Sequence, residues 1–169
     1  AGGEVNYSMF EMFQGAIPGS IAETSTLWVA VGALILILTG VGSWRIITGG
    51  ILGAAVMGLL FNLWGANALM SFSWINHLVV GGFAFGIVFM ATDPVTGAQT
   101  ELGKWYYGFF IGFISVLIRV FNPAYPEGVF LAILLMNVFA PTIDHYVVRA
   151  NVARRKKRAT SLPNIQTAH

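Results

Sequence analysis

The chain has 169 residues, of which 56% are hydrophobic and 9% charged, with a formal net charge of +2. Soluble domains carry roughly 25% charged residues, so this chain has too few polar side chains to cover a water-facing surface, and lipid must be its main solvent. No cysteine is present, which excludes disulfides, thiolate metal sites and iron–sulfur ligation by the chain itself.

Residues 1–21 read as an N-terminal segment on the outer face. They lack a basic n-region and a continuous apolar core and carry Glu4 and Glu11, so they are not a signal peptide. A start at Ala1-Gly2-Gly3, without an initiator methionine, reads as a piece of a longer protein. Residues 22–148 then hold five apolar stretches, 22–43, 46–64, 74–91, 105–121 and 128–148, each near the roughly 20 residues a helix needs to cross a bilayer. Arg45, residues 67–73, residues 92–104 and the turn from Asn122 through Pro126 separate them with charge or turn formers. The pattern predicts an all-α integral membrane protein, a bundle of five transmembrane helices. Residues 149–169 form a basic tail with Arg149, Arg154, Arg155, Lys156, Lys157 and Arg158, and its end after Arg158 reads as disordered.

Basic flanks stay cytoplasmic, so the C-terminus is expected inside and, through an odd number of spans, the N-terminal segment outside. Arg45 and Lys104 then also fall inside. Trp28, Trp44, Trp64, Trp74 and Trp105 lie near predicted span ends, where amphipathic rings favour the interface. Small residues at four-residue spacing, Gly50/Ala54/Gly58, Gly82/Gly86 and Gly108/Gly112, predict close helix packing.

The third span carries Phe85 and Phe89, four residues apart and so on one helical face. Two such rings either pack against lipid and neighbours or form a hydrophobic constriction across a pathway. Asp93 follows in Thr92-Asp93-Pro94, open to two readings: a turn former that binds local amides, or a carboxylate at an ion entry. His77 reads as a satisfied polar residue, since no second ligand stands at i+3 or i+4. Arg119 and Glu127 flank the outer turn and are expected to pair.

The last span holds Asn137, Pro141, Thr142, Asp144 and His145. A carboxylate inside an apolar stretch costs about 2.5–3.5 kcal/mol on insertion scales, which makes Asp144 a functional residue by default. Pro141 withholds a backbone donor and displaces the carbonyl of Asn137, and carbonyl, amide and carboxylate oxygens suit a hard cation such as sodium. The competing reading has Asp144 paired with His145, Arg149 or a neighbouring helix and only orienting the bundle. Nothing in the chain matches a nucleotide-binding glycine loop, a paired-histidine metal site or a nucleophile–histidine–acid set, so the chain alone is not expected to be catalytic. No nucleic-acid partner is expected.

Three ordered motifs, Phe-Met-Ala-Thr-Asp-Pro-Val-Thr at 89–96, Tyr-Pro-Glu-Gly-Val-Phe-Leu-Ala-Ile-Leu-Leu-Met-Asn at 125–137 and Ala-Pro-Thr-Ile-Asp at 140–144, resemble the C-terminal half of the B subunit of the sodium-translocating NADH:quinone oxidoreductases. The D subunit of the Rnf electron-transport complex shares much of the pattern. The likeness covers essentially the whole chain, and the Asn122-Pro123-Ala124-Tyr125-Pro126 turn and the basic tail favour the sodium pump.

The resemblance implies a component of the bacterial inner membrane, built from inverted five-helix repeats similar to urea and ammonium channels, of which this chain is one. It implies partner subunits, ubiquinone, covalent FMN and riboflavin in the parent protein, and sodium export driven by NADH oxidation. It places Asp144, Asp93 and Asn137 on the ion pathway, sodium near Asp144, and Phe85 and Phe89 at the constriction. The family joins FMN to a threonine in a Ser-Gly-Ala-Thr type sequence. No such sequence occurs here, and Thr24, Ser25 and Thr26 lack the preceding Gly-Ala, so the anchor is expected before Ala1. The alternatives are the equivalent Rnf protein, a passive small-solute channel half with no redox role, and a structural membrane component whose carboxylates hold the bundle.

Overall fold

A computed structural model describes residues 13–15, 25–65, 74–79, 82–122 and 128–161. The described residues are helical and contain no strand. In chain order the helices are α1 (Thr26–Leu38), α2 (Trp44–Trp64), α3 (Trp74–Val79), α4 (Phe83–Phe85) continued by a π-turn (Gly86–Met90), α5 (Glu101–Phe121) and α6 (Gly128–Ser161).

Among the described residues three helices are long and apolar enough to cross a membrane: α2, α5 and α6 up to Ala159. The other two predicted spans look different. The first contributes α1, whose 13 residues rise only about 20 Å; it ends in a turn at Gly40, where φ is +73°. The third is not continuous. Gly82 takes the left-handed conformation, φ +66°, and starts α4 afresh, a geometry that glycine reaches without the β-carbon clash other residues meet. Beyond it the Ala91 amide reaches back five residues to the Gly86 carbonyl at 2.8 Å, the widened spacing of a π-turn.

The heart of the bundle is the α2–α5 contact. Glycines make it possible, because each exposes backbone to backbone. A β-carbon on Gly108 would strike the Ile46 backbone, and one on Gly112 would lie 2.8 Å from the Ala54 amide nitrogen. The facing glycines on α2 are Gly49, 3.0 Å by the same construction from the Trp105 carbonyl oxygen, and Gly53, against the Phe109 carbonyl. The predicted Gly108/Gly112 stripe therefore packs as a pair of small residues should, and its partner is the Gly49/Gly53 row together with Gly50 and Ala54. Gly58 packs on Trp74, and Gly86 admits Val129 of α6. Tyr107, Ile111, Val116, Val129 and Ala132 complete a core with no solvent exposure.

At one end of the bundle Trp44 meets Trp105 edge-on, centroids 5.7 Å apart, and the Arg45 guanidinium lies 5.1 Å from the Trp44 ring centre. Arg45 and Lys104 both pair with Glu101. At the other end Phe61 meets Phe121, and the buried Arg119 donates to the His77 carbonyl at 2.7 Å. Glu127, its expected partner, lies outside the described residues.

Candidate functional site

The loop from Ala91 to Thr100 joins the π-turn to α5 and carries the first predicted carboxylate. Thr92 turns its hydroxyl back to the Val88 carbonyl at 2.6 Å, and Pro94 has no amide to continue a helix. The Asp93 carboxylate then accepts from the Val95 amide (3.3 Å), the Thr96 amide (3.2 Å) and the Thr96 hydroxyl (2.7 Å). The Thr96 hydroxyl bond, followed by the Val95 amide, holds the Asp93 carboxyl below its ordinary 3.8. Gln99 ties the loop further, its side-chain amide donating to the carbonyls of Pro94 and Gly97 at 2.7 and 2.9 Å.

Asp144 meets the far end of the same loop. Its Oδ2 accepts from the Gln99 amide at 2.7 Å, and Oδ1 accepts from the Thr100 amide at 3.0 Å and the Thr100 hydroxyl at 2.5 Å. These donors are uncharged. Thr100 is the N-cap of α5, its hydroxyl accepting from the Gly103 amide at 3.1 Å, so the carboxylate sits where unsatisfied amides and the positive end of the helix dipole converge. Gly103 leaves the room: a β-carbon there would stand 2.6 Å from Asp144 Oδ1. The nearby cations Arg45 and Lys104 bind Glu101 on the first turn of α5, and the Lys104 charge also acts on Asp144 without a hydrogen bond to it.

Asn137 lies two turns deeper on α6, and its side-chain carbonyl accepts from the Tyr107 hydroxyl of α5. Tyr107 is completely buried. Gly97, whose amide binds the Asp93 carbonyl at 3.2 Å, lies over the Tyr107 ring, with Cε1 3.7 Å from where a β-carbon would stand. Thus one loop links the three polar residues: Asp93 shapes its start, Gly97 rests on the tyrosine that holds Asn137, and Asp144 anchors its end. Phe85 and Phe89 adjoin just before the loop, ring centres 5.1 Å apart and planes tilted by 43°. Gly32 of α1 packs against the Phe89 ring, and Phe89 is 39% exposed.

The sequence offered local amides as partners for Asp93 and a neighbouring helix among those for Asp144, and the structure shows both, but it named none of the individual donors. Gln99, Thr100, Gly103 and Tyr107 carry as many of the site's contacts as the carboxylates do. Thr100 followed by Glu101 just before an apolar run is a recognisable helix start; Tyr107 carried no local sign. His77 is buried on α3, and among the described residues no group of three or more His, Cys, Asp or Glu side chains is placed to hold a metal ion.

The profile of the NQR2, RnfD, RnfE family matches residues 2–153. The chain is 53% identical over 154 residues to the B subunit of the Na(+)-translocating NADH-quinone reductase of Chromohalobacter salexigens, covering 90% of this chain and 38% of that protein. It is 55% identical over 150 residues to the protein of the same name from Ectopseudomonas mendocina, covering 88% and 37%. It is 53% identical over 153 residues to that of Klebsiella pneumoniae, covering 89% and 37%. The chain thus spans less than two-fifths of the length of these relatives. With three helices among the described residues long and apolar enough to cross a bilayer and a family profile that covers nearly all of it, this multi-pass membrane protein belongs to the NQR2, RnfD, RnfE family.

Proposed function

We propose that this chain is the ion-conducting segment of the B subunit in a respiratory sodium pump that couples NADH oxidation and quinone reduction to sodium export. In this reading the five apolar stretches form one half of an inverted-repeat channel, with the basic end of α6 in the cytoplasm of a bacterial inner membrane. Sodium approaches between the Asp93 loop and Asp144, exchanges water for carboxylate and carbonyl oxygens, and moves past Asn137. It crosses the Phe85/Phe89 pair when the redox reaction of the complex shifts the packing of the π-turn. Peripheral and membrane subunits and ubiquinone are the partners in the whole complex.

The observation that carries the reading is the set of neutral donors on Asp144. A carboxylate balanced by amides and a hydroxyl keeps its negative charge available, whereas one locked to arginine would not. The broken helix before the Asp93 loop adds support, since irregular backbone at membrane depth is tolerated where it is buried in protein or lines a cavity. The three relatives from Chromohalobacter, Ectopseudomonas and Klebsiella are sodium-translocating reductases rather than Rnf proteins.

The Ser-Gly-Ala-Thr type sequence that would hold covalent FMN does not occur in this chain. The Ser25 and Thr26 hydroxyl oxygens are enclosed and offer no open oxygen for a phosphoester, and Thr24 is outside the described residues. No step here passes through the flavin.

The cap that Asp144 places on α5 favours one second reading, a purely structural carboxylate. Sodium-dependent quinone reduction by the full complex carrying Asp144→Ala separates the two. Pathway function predicts a rise of at least several-fold in the sodium concentration for half-maximal rate. An unchanged sodium dependence in whatever complex still assembles leaves only the structural role.

A further inference from the structure

A groove of about 240 Å³ opens between α5 and α6, lined by Leu102 and Tyr106 from α5 and by Tyr146, Val147, Asn151 and Arg154 from α6. The carboxylate site uses none of these residues. Helical side chains lean toward the N-terminus of their helix. Because α5 begins at this surface and α6 leaves through it, the α5 side chains lean outward while Arg154 leans back toward the bilayer. The two sets converge.

The level of the groove follows from its neighbours. Tyr106 adjoins Trp105, which meets Trp44 beneath Arg45, the aromatic and cationic pairing of a headgroup layer. Leu102 and Val147 give the groove apolar lining, the two tyrosines amphipathic lining, and Asn151 and Arg154 its polar groups. Its volume is below the roughly 300–1,000 Å³ of pockets that enclose a whole small molecule, so it fits one part of a larger amphiphile. Arg154 also opens the run Arg154-Arg155-Lys156-Lys157-Arg158, all exposed on the same helix. The field there is strongly positive, and juxtamembrane basic clusters of this kind draw anionic lipid.

We propose that this groove holds an anionic phospholipid, with Arg154 and Asn151 donating to the headgroup phosphate and an acyl chain running inward past Leu102 and Tyr106 along α5. The inference is independent of the ion pathway and requires only that the chain spans the membrane.

The test uses the assembled complex, partly delipidated and titrated with phosphatidylglycerol or phosphatidylcholine, with bound lipid counted by native mass spectrometry. Wild type should retain phosphatidylglycerol preferentially. Arg154→Gln should weaken its retention about fivefold, while Arg155→Gln, which removes the same charge from another face of the helix, should leave it within about twofold. Asn151→Leu keeps every charge and should also weaken retention, which preserves the test if Arg154→Gln fails to assemble. Equal losses for Arg154→Gln and Arg155→Gln, no loss for Asn151→Leu, or no preference between the lipids would overturn the site. So would a photo-crosslinker at position 151 that captures an acidic segment of another protein of the complex instead of lipid.

Discussion

Without the Asp144 carboxylate, the amides of Gln99 and Thr100 would lose their acceptor at the start of α5, and the loop from Asp93 would lose its far anchor. Thr100 is the easier residue to test because it leaves that charge in place. Thr100→Val removes the hydroxyl that both donates to Asp144 and accepts from Gly103. Loss of an N-cap costs about 0.5–2 kcal/mol, so the melting midpoint of the purified complex should fall while sodium dependence persists. Asp93 supplies a pH test. Its carboxyl is held below 3.8 in the folded loop, so the unfolded chain binds the proton more readily. The stabilisation is therefore complete above the unfolded value and is lost as pH falls through the lower folded one. Amide exchange at Val95 and Thr96 should stay flat from pH 8 to about pH 5, after correction for intrinsic rates, and protection should drop only below about pH 4. Asp144 stands out in the sequence because a carboxylate inside an apolar run is costly, and the structure places it, partly exposed, at the first turn of α5. Its donors do not stand out, because they lie 44 and 45 residues away, and no local pattern announces such a pairing.

The element that holds the fold together is the α2–α5 crossing, and in lipid its strength comes from close backbone packing rather than from hydrophobic burial. Gly112→Ala places a methyl against the Gly50 carbonyl and the Ala54 amide, which are backbone atoms that cannot turn aside. Gly50→Ala meets the tip of the Ile87 side chain, which can. Overpacking costs about 1–3 kcal/mol and occasionally more, so Gly112→Ala should sharply lower assembly and thermal stability, and Gly50→Ala should do so less. The four-residue spacing made Gly108 and Gly112 readable, whereas the choice of Gly49 and Gly53 opposite them depends on helix rotation. Continuous hydrophobicity from 74 to 91 likewise suggests one span, because hydropathy averages over a window and cannot register a single glycine at φ +66° or a five-residue hydrogen bond.

At the scale of the molecule, α6 is the longest feature. Its 34 residues rise about 51 Å, well beyond the roughly 30 Å of a hydrocarbon core, so the basic run continues the helix where the sequence suggested a span ending near Val148. This geometry makes the orientation testable. In a cysteine-free full-length protein, Arg158→Cys should react with an impermeant thiol reagent from the cytoplasmic side of inverted vesicles, and Asn122→Cys, at the far end of α5, only from the opposite side. Composition and hydropathy by themselves determined the membrane class of this protein, its helical character and the three long apolar helices α2, α5 and α6, because the energies involved are properties of single residues or of runs along the chain. Only the tertiary structure decided where the third apolar stretch breaks, which glycines face each other, and that Asp144 rests on the first turn of α5. Those outcomes depend on which backbone atoms approach across helices, and that distance is fixed by packing and not by the order of residues.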